Sequence, residues 1–258
     1  MNLKPVLKNG TSQIIIDFIS LKVNETRSNG VVLGLSGGLD SSVVAKLCLD
    51  AIGAEKVLGL IMPLAKHQKK DTDETISFAR EFGIPYKKID PFKVLQSYKE
   101  TLDLEKEGMA INNLAPRIRM IILYYHANCL NRLVMGTGNK SELMMGYFTK
   151  YGDGGVDYLP IGDIYKTQVR DLAKELKIPQ TLIDKIPSAG LWEGQTDEGE
   201  MGITYDLLDK ILYGLEQKCT ENEIHNSTNI PLNEIKRIHG IIQRTAHKRM
   251  MPQIPKID

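Results

Sequence analysis

"GLSGGLDSS", residues 34–42, sets three glycines, three serines and one carboxylate between the apolar pair Val31-Val32 and the apolar run Val43, Val44, Ala45 and Leu47. Glycine-rich backbone where a strand hands over to a helix offers N–H groups and a helix N-terminus to an anion. The functional reading is a phosphate loop; the structural one is a tight turn with Asp40 or Ser41 as helix cap. Neither GxxxxGK[ST] nor GxGxxG is satisfied, which disfavours a kinase-like P-loop and a dinucleotide fingerprint.

Around this loop, strand and helix signals alternate. A helix is predicted over 11–27, a short strand over 31–35, and a helix from about Ser42 to Ile52 closed by Gly53. A buried-type strand follows over 57–62, then a helix from Asp71 to Phe82 and a strand from Ile84 to Ile89. A long helical stretch over 111–130, beginning near Asn113 so that Pro116 falls in its first turn, leads to a strand over 132–136. This order predicts an α/β fold, a doubly wound parallel sheet flanked by helices in a single domain over 1–258. Ligands of such sheets sit beyond the carboxyl ends of the strands, where both "GLSGGLDSS" and "GTGNKSE" (136–142) emerge.

Past about residue 147 the pattern changes. "YFTKYGDGGVDYLPIGDIYKT" reads as loop, too irregular for a core element. Helices return at 165–176, 204–215 and 231–246, and the acidic, glycine-punctuated "PSAGLWEGQTDEGEMG" (187–202) reads as a lid or a plain surface loop. Trp192, Asp197, Glu198 and Glu200 belong to that segment.

Composition narrows the classes. The 258 residues are 42% hydrophobic and 25% charged, with 33 basic and 32 acidic side chains and a net charge of +1. No global field favours nucleic acid or a membrane surface, so an anionic ligand needs a local site. Cys48, Cys129 and Cys219 are scattered and form no CxxC pair, which suggests neither a disulfide framework nor a cysteine zinc site, and a reducing, cytoplasmic setting is expected. The apolar stretch Ile14 to Ile19 is interrupted by Asp17 and too short to span a bilayer. His67, His126, His225 and His239 form no metal-binding pair, and "KHQKKD" (66–71) reads as a solvated loop, with a phosphate-facing role as the alternative.

SGGxDS after a strand resembles the pyrophosphate loop of the N-type ATP pyrophosphatases, which cleave ATP between the α and β phosphates. "FTKYGDGGVDYLPIGDIYKTQVRDLAKEL" (148–176), "DEGEMGITYDLLD" (197–209) and "HKR" (247–249) are similar to the NAD synthetases of that superfamily. The length fits their ammonia-dependent form. The resemblance implies an adenine nucleotide alpha hydrolase-like, Rossmann-like fold and an ATP-dependent amidation of deamido-NAD by ammonia through an adenylate.

Carried over by motif, the resemblance assigns ATP to Gly34, Leu35, Ser36, Gly37, Gly38, Leu39, Asp40, Ser41, Thr137, Lys166 and Ser188. It assigns Mg²⁺ to Asp40 and Glu142, which suit a hard cation that keeps much of its water, and catalysis to Asp40, Glu142 and Lys166. Deamido-NAD would be met by Arg117, Lys150, Asp157, His247 and Lys248, the last two across a subunit boundary. Leu39, Ser188 and the form "TGNKSE" depart from the glutamine, threonine and "TDHAAE" of many relatives. On residues alone, Glu142 is equally a first-turn acid complementing a helix dipole, and Arg117 is more commonly a solvated helix arginine. The helix over 111–130 is apolar nearly all round (Ile111, Leu114, Ile118, Ile121, Ile122, Leu123, Tyr125), which favours a subunit interface, and the family's homodimer agrees. A tRNA-thiolating enzyme would want paired cysteines or a basic face, GMP synthesis further domains, and a nucleotide sensor has no need of both Asp40 and Glu142.

Overall fold

The computed structural model describes residues 2–63, 69–102, 108–188, 190 and 194–257. Its first half alternates α1 (Thr11–Glu25), β1 (Val31–Gly34), α2 (Leu39–Ile52), β2 (Val57–Ile61), α3 (Lys69–Glu81) and β3 (Tyr86–Lys88). The chain then runs through α4 (Phe92–Thr101), α5 (Met109–Asn112) and α6 (Leu114–Leu130) to β4 (Leu133–Met135) and α7 (Lys140–Met145). Helices complete it: α8 (Lys166–Glu175), α9 (Gln180–Ile183), α10 (Asp197–Met201), α11 (Tyr205–Glu216), α12 (Glu221–Thr228) and α13 (Leu232–Arg244).

Among the described residues four strands form one parallel sheet, in the order β3-β2-β1-β4. Alternation along the strands feeds two cores. Val31, Leu33, Val57 and Ile61 join α1, α2 and α8 on one face, while Val32, Leu58, Leu60 and Val134 meet Ala127, Ile122 and Leu123 of α6 on the other. The crossovers through α2 and α3 build outward from β1, and the one through α4–α6 returns to β1's other edge. The order therefore reverses between β1 and β4, and there the loops after the two strands diverge and leave a crevice. A third cluster gathers α7, α11, α12 and α13 around Tyr205, Leu208, Ile211, Leu212 and Ile224. Among the described residues no helix is long and apolar enough to cross a membrane.

The predicted elements stand, with shorter strands and two informative differences. First, α2 begins at Leu39 rather than about Ser42, so Asp40 and Ser41 sit in its first turn and Gly38 is the N-cap. Ser41 and Ser42 return their hydroxyls to the Gly38 carbonyl, both at 3.0 Å, which lets the helix start inside the loop. Second, the stretch after residue 147 does reach the core: Ile161 is fully buried against the β1 face, and Tyr158 adds a parallel bridge to Met135. Its periodicity is broken because single side chains, not a regular element, are buried. Residues 66–68 of the basic run, His67 among them, and Trp192 lie outside the described residues.

Candidate active site

The crevice between the β1 and β4 loops opens into a cavity of about 640 Å³. Its floor is the glycine loop. Gly37 has φ +76°, and a Cβ there would lie 2.3 Å from Thr75 Oγ1, so only glycine lets the loop pass this close to α3. Ser36 Oγ accepts from Gly38 N–H at 3.2 Å and lies 3.1 Å from Ser41 Oγ, so the loop is held by its own serines.

Two carboxyl groups and an ammonium meet above it. The Lys166 ammonium, at the start of α8 and 2% exposed, pairs with Asp40 Oδ2. Burial alone would lower the lysine; Asp40, and next Glu142, more than offset this and hold it above its ordinary value. Glu142 is pushed well above the usual carboxylate range by burial and then by the Asp40 carboxylate. Two acids and one ammonium thus share one poorly solvated place.

Asn139 organises them. Its Nδ2–H donates to Asp40 Oδ1 at 3.3 Å, while its Oδ1 accepts from Glu142 N–H at 3.1 Å and its own N–H donates to Glu142 Oε2 at 3.0 Å. The capping box that starts α7 therefore also aims both carboxylates. From the third cluster, Asp209 on α11 fixes the frame, accepting from Ser141 Oγ at 2.5 Å and from Thr167 N–H at 2.8 Å. Ser141 Oγ in turn accepts from Lys166 N–H at 2.9 Å. Each of these partners adjoins a site residue, so one buried acid sets the positions of Glu142 and Lys166. Sequence reasoning passed over Asn139 and Asp209; the N-cap signature N-x-x-E was the available signal for the first.

Lys185 is a further addition. Its ammonium donates to the Gly37 carbonyl at 3.1 Å, to Asp71 Oδ1 at 2.8 Å and to Glu74 Oε2 at 3.4 Å. In a trans peptide the Gly38 N–H points opposite the Gly37 carbonyl, so Lys185 fixes which way that donor faces.

Gly34 to Ser41, Thr137, Glu142, Lys166, Ser188 and Lys248 all line the cavity. The Lys248 ammonium is held by the carbonyls of Gly146 (2.7 Å) and Phe148 (2.8 Å). Arg117, Lys150, Asp157 and His247 do not line it. Arg117 Nη2 donates to the Lys150 carbonyl (3.4 Å), and Lys150 Nζ donates to the carbonyls of His247 (2.7 Å) and Met250 (3.1 Å), a surface cluster at the N-terminal end of α6. Asp157 lies elsewhere, accepting from Val134 N–H at 2.7 Å and from Tyr124 Oη at 3.0 Å. The loop acid Asp197 is 5% exposed and accepts from the hydroxyls of Tyr147 and Tyr205, each at 3.3 Å, and Asp197 and Glu200 both line the cavity. Asp197 N–H donates to the Pro187 carbonyl at 2.9 Å.

Could this donor set hold a divalent cation? Among the described residues no group of three or more His, Cys, Asp or Glu side chains is placed to hold one. Two carboxylates leave most positions to water and ligand oxygens, which is the habit of Mg²⁺ with nucleotides. Burial first, and then the Asp40 carboxylate, hold Glu142 above its ordinary range, and a cation beside the two acids would relieve the second of these, so the residues fit the ion.

Residues 11–252 match the NAD synthase family. The chain is 47% identical over 247 residues to an NH(3)-dependent NAD(+) synthetase of Methanococcoides burtonii, covering 95% of this chain and 94% of the relative. It is 49% identical over 244 residues to an NH(3)-dependent NAD(+) synthetase of Archaeoglobus fulgidus, covering 94% and 95%. Among solved structures, the NH3-dependent NAD synthetase from Campylobacter jejuni in complex with the nitrate ion aligns with TM-score 0.82 and 31% identity, over 99% of this chain and 100% of that one. NMN synthetase from Francisella tularensis aligns with TM-score 0.84 and 33% identity, over 96% and 98%.

Replacing Lys185 by methionine is expected to weaken binding of inorganic pyrophosphate about tenfold, since a charge-assisted bond that orients the loop is lost. Lys185→Arg should retain most of the affinity. Calorimetric titration of pyrophosphate into the three proteins checks this, and equal affinities would refute the clamp.

Proposed function

The chain belongs to the NAD synthase family, and from that premise we propose that it joins ammonia to deamido-NAD at the expense of ATP, giving NAD, AMP and pyrophosphate as the last step of NAD biosynthesis. The observation that carries this reading is the convergence of the glycine loop, Asp40, Glu142 and Lys166 at the β1/β4 switch point.

A nicotinate carboxylate oxygen attacks the α-phosphorus of ATP, the bond from that phosphorus to the bridging oxygen breaks, and pyrophosphate leaves. Ammonia then attacks the carbonyl carbon of the adenylate, loses a proton, and AMP departs. The attacking carboxylate is already ionised and AMP is a good leaving group, so the protein's task is to position reactants and balance charge. The N–H groups of the glycine loop, with Ser36 and Ser41, hold the leaving phosphates. Lys166, kept protonated by its carboxylate neighbours, stands ready to balance the charge that builds on them. Thr137 and Ser188 add hydroxyl contacts to ATP. Asp40 and Glu142 would hold Mg²⁺, which when bound supplies charge neutralisation on the phosphates.

Arg117, Lys150, Asp157 and His247, outside the cavity of their own protomer, contact deamido-NAD in a homodimer, together with Lys248. Arg117 shares the outer face of α6 with Ile121 and Tyr125, which are 53% and 64% exposed, an apolar stripe suited to a second copy. Residues 187–203 act as a lid that keeps water from the adenylate, hinged where Asp197 meets Pro187.

With ATP, Mg²⁺ and ammonia, AMP and pyrophosphate should form only when deamido-NAD is added, and faster than with the corresponding mononucleotide. Asp40→Asn and Glu142→Gln should each cut turnover at least about a hundredfold with the fold intact. Because Glu142 must shed a proton before it can ligate, Mg²⁺ affinity of the free protein should rise with pH, and E142Q should lose that dependence. Turnover near normal in either variant would sink the metal assignment. Sedimentation should give twice the chain mass, and Tyr125→Glu should halve it; a monomeric native chain would refute the interface. Limited proteolysis within 187–203 should slow on adding ATP and deamido-NAD, and an unchanged cleavage rate would remove the lid.

A further inference from the structure

Arg119 stands on α6 two residues beyond Arg117, which at about 100° per residue turns it to roughly the opposite side of the helix. It lines the cavity, and its Nε–H donates to the Met62 carbonyl, just past the end of β2, at 3.1 Å. A guanidinium carries five N–H donors. Among the described residues, nothing accepts from the four on Nη1 and Nη2. Burial lowers Arg119 to about 10, opposed only by the through-space pull of Asp153. Arg119 is half-buried, so water meets these donors in the open cavity, and the free Nη1/Nη2 edge is what a ligand entering it would engage.

The geometry decides what kind of ligand. With Nε anchored to a carbonyl, the plane of the guanidinium is set and its Nη1/Nη2 edge remains, a fork that matches two oxygens of a carboxylate or phosphate. Position decides whose. The triphosphate end of the cavity already has the glycine loop, Lys166 and Lys185, whereas Arg119 lies on the wall formed with Pro116, Met120, Thr149 and Asp153. Thr149 and Asp153 belong to the "FTKYGDGG" turn, and Thr149 Oγ1 donates to Asn113 Oδ1 at 2.7 Å, joining that turn to the start of α6.

We propose that Arg119 is a preformed clamp for an oxyanion of the dinucleotide substrate, its nicotinate carboxylate or its pyrophosphate; the assignment rests on the reaction proposed above. The anion takes one N–H from each of Nη1 and Nη2, and in doing so fixes the dinucleotide against the α6 wall.

Calorimetric titrations of native enzyme, Arg119→Gln and Arg119→Lys test this, using deamido-NAD, NAD and an ATP analogue with a methylene between the α and β phosphates. R119Q should bind deamido-NAD about 100-fold more weakly and R119K should fall between, as when one partner of a buried charge pair is removed. The ATP analogue should bind all three alike, and the ligand-free melting temperature of R119Q should be equal to or above that of the native protein, which a merely structural arginine would not allow. NAD carries an amide in place of the carboxylate, so it separates the two sources. If the clamp takes the carboxylate, the preference for deamido-NAD over NAD falls in R119Q; if it takes the pyrophosphate, both weaken together. Native affinity for deamido-NAD in R119Q and R119K, or a loss confined to the ATP analogue, would overturn the clamp. Turnover by the native enzyme is measured on the same preparation: its absence would refute the reaction itself, whereas turnover with unaltered R119Q binding would refute only Arg119's part.

Discussion

Everything at the centre of this molecule turns on one buried ion pair, Lys166 with Asp40. A lysine 2% exposed is tolerable only if its charge is met at once. Here the first carboxylate is in the opening turn of α2 and the second, Glu142, in the opening turn of α7. Three helix beginnings therefore have to converge, and the parallel sheet with its reversal between β1 and β4 is the scaffold that brings them together. Helix N-termini also carry unpaired N–H groups and a positive dipole end, so the same convergence that satisfies Lys166 creates a place for phosphate.

The supporting bonds explain why the arrangement is rigid before any ligand arrives. Asn139 ties Asp40 to the cap of α7, and Asp209 ties the starts of α7 and α8 to α11. Through Asp209, α11 thus holds the segments that carry Glu142 and Lys166 in place. Lys185 performs the equivalent service for the glycine loop, joining it to α3. Preorganisation of this kind is what a reaction driven by positioning and charge balance requires.

The two arginines of α6 show how one helix serves two surfaces. Arg119 faces the cavity and Arg117 the outside, where it shares a stripe with Ile121 and Tyr125. The apolar pattern nearly all round this helix meets the sheet on one side and leaves Ile121 and Tyr125 exposed on the other.

How much could be read before folding depended on whether the signal was local. Strand, glycine loop and helix in succession announced the sheet and the loop at its edge, because φ preference, period and capping act within a few residues. The TGNKSE segment was recognisable for the same reason, and so was the family resemblance carried by FTKYGDGG. What the sequence could not convey were relations between distant residues: the amide of Asn139 on Asp40, the role of Asp209, the burial of Ile161 from an irregular stretch, and the division of the proposed dinucleotide contacts between cavity and surface. Those depend on which side chains the crossovers bring face to face and on how burial alters their charge. The sequence by itself thus determined the elements and the chemistry available to them; only the tertiary structure decided which charges share one dry crevice, because desolvation and pairing exist only once the chain has closed around them.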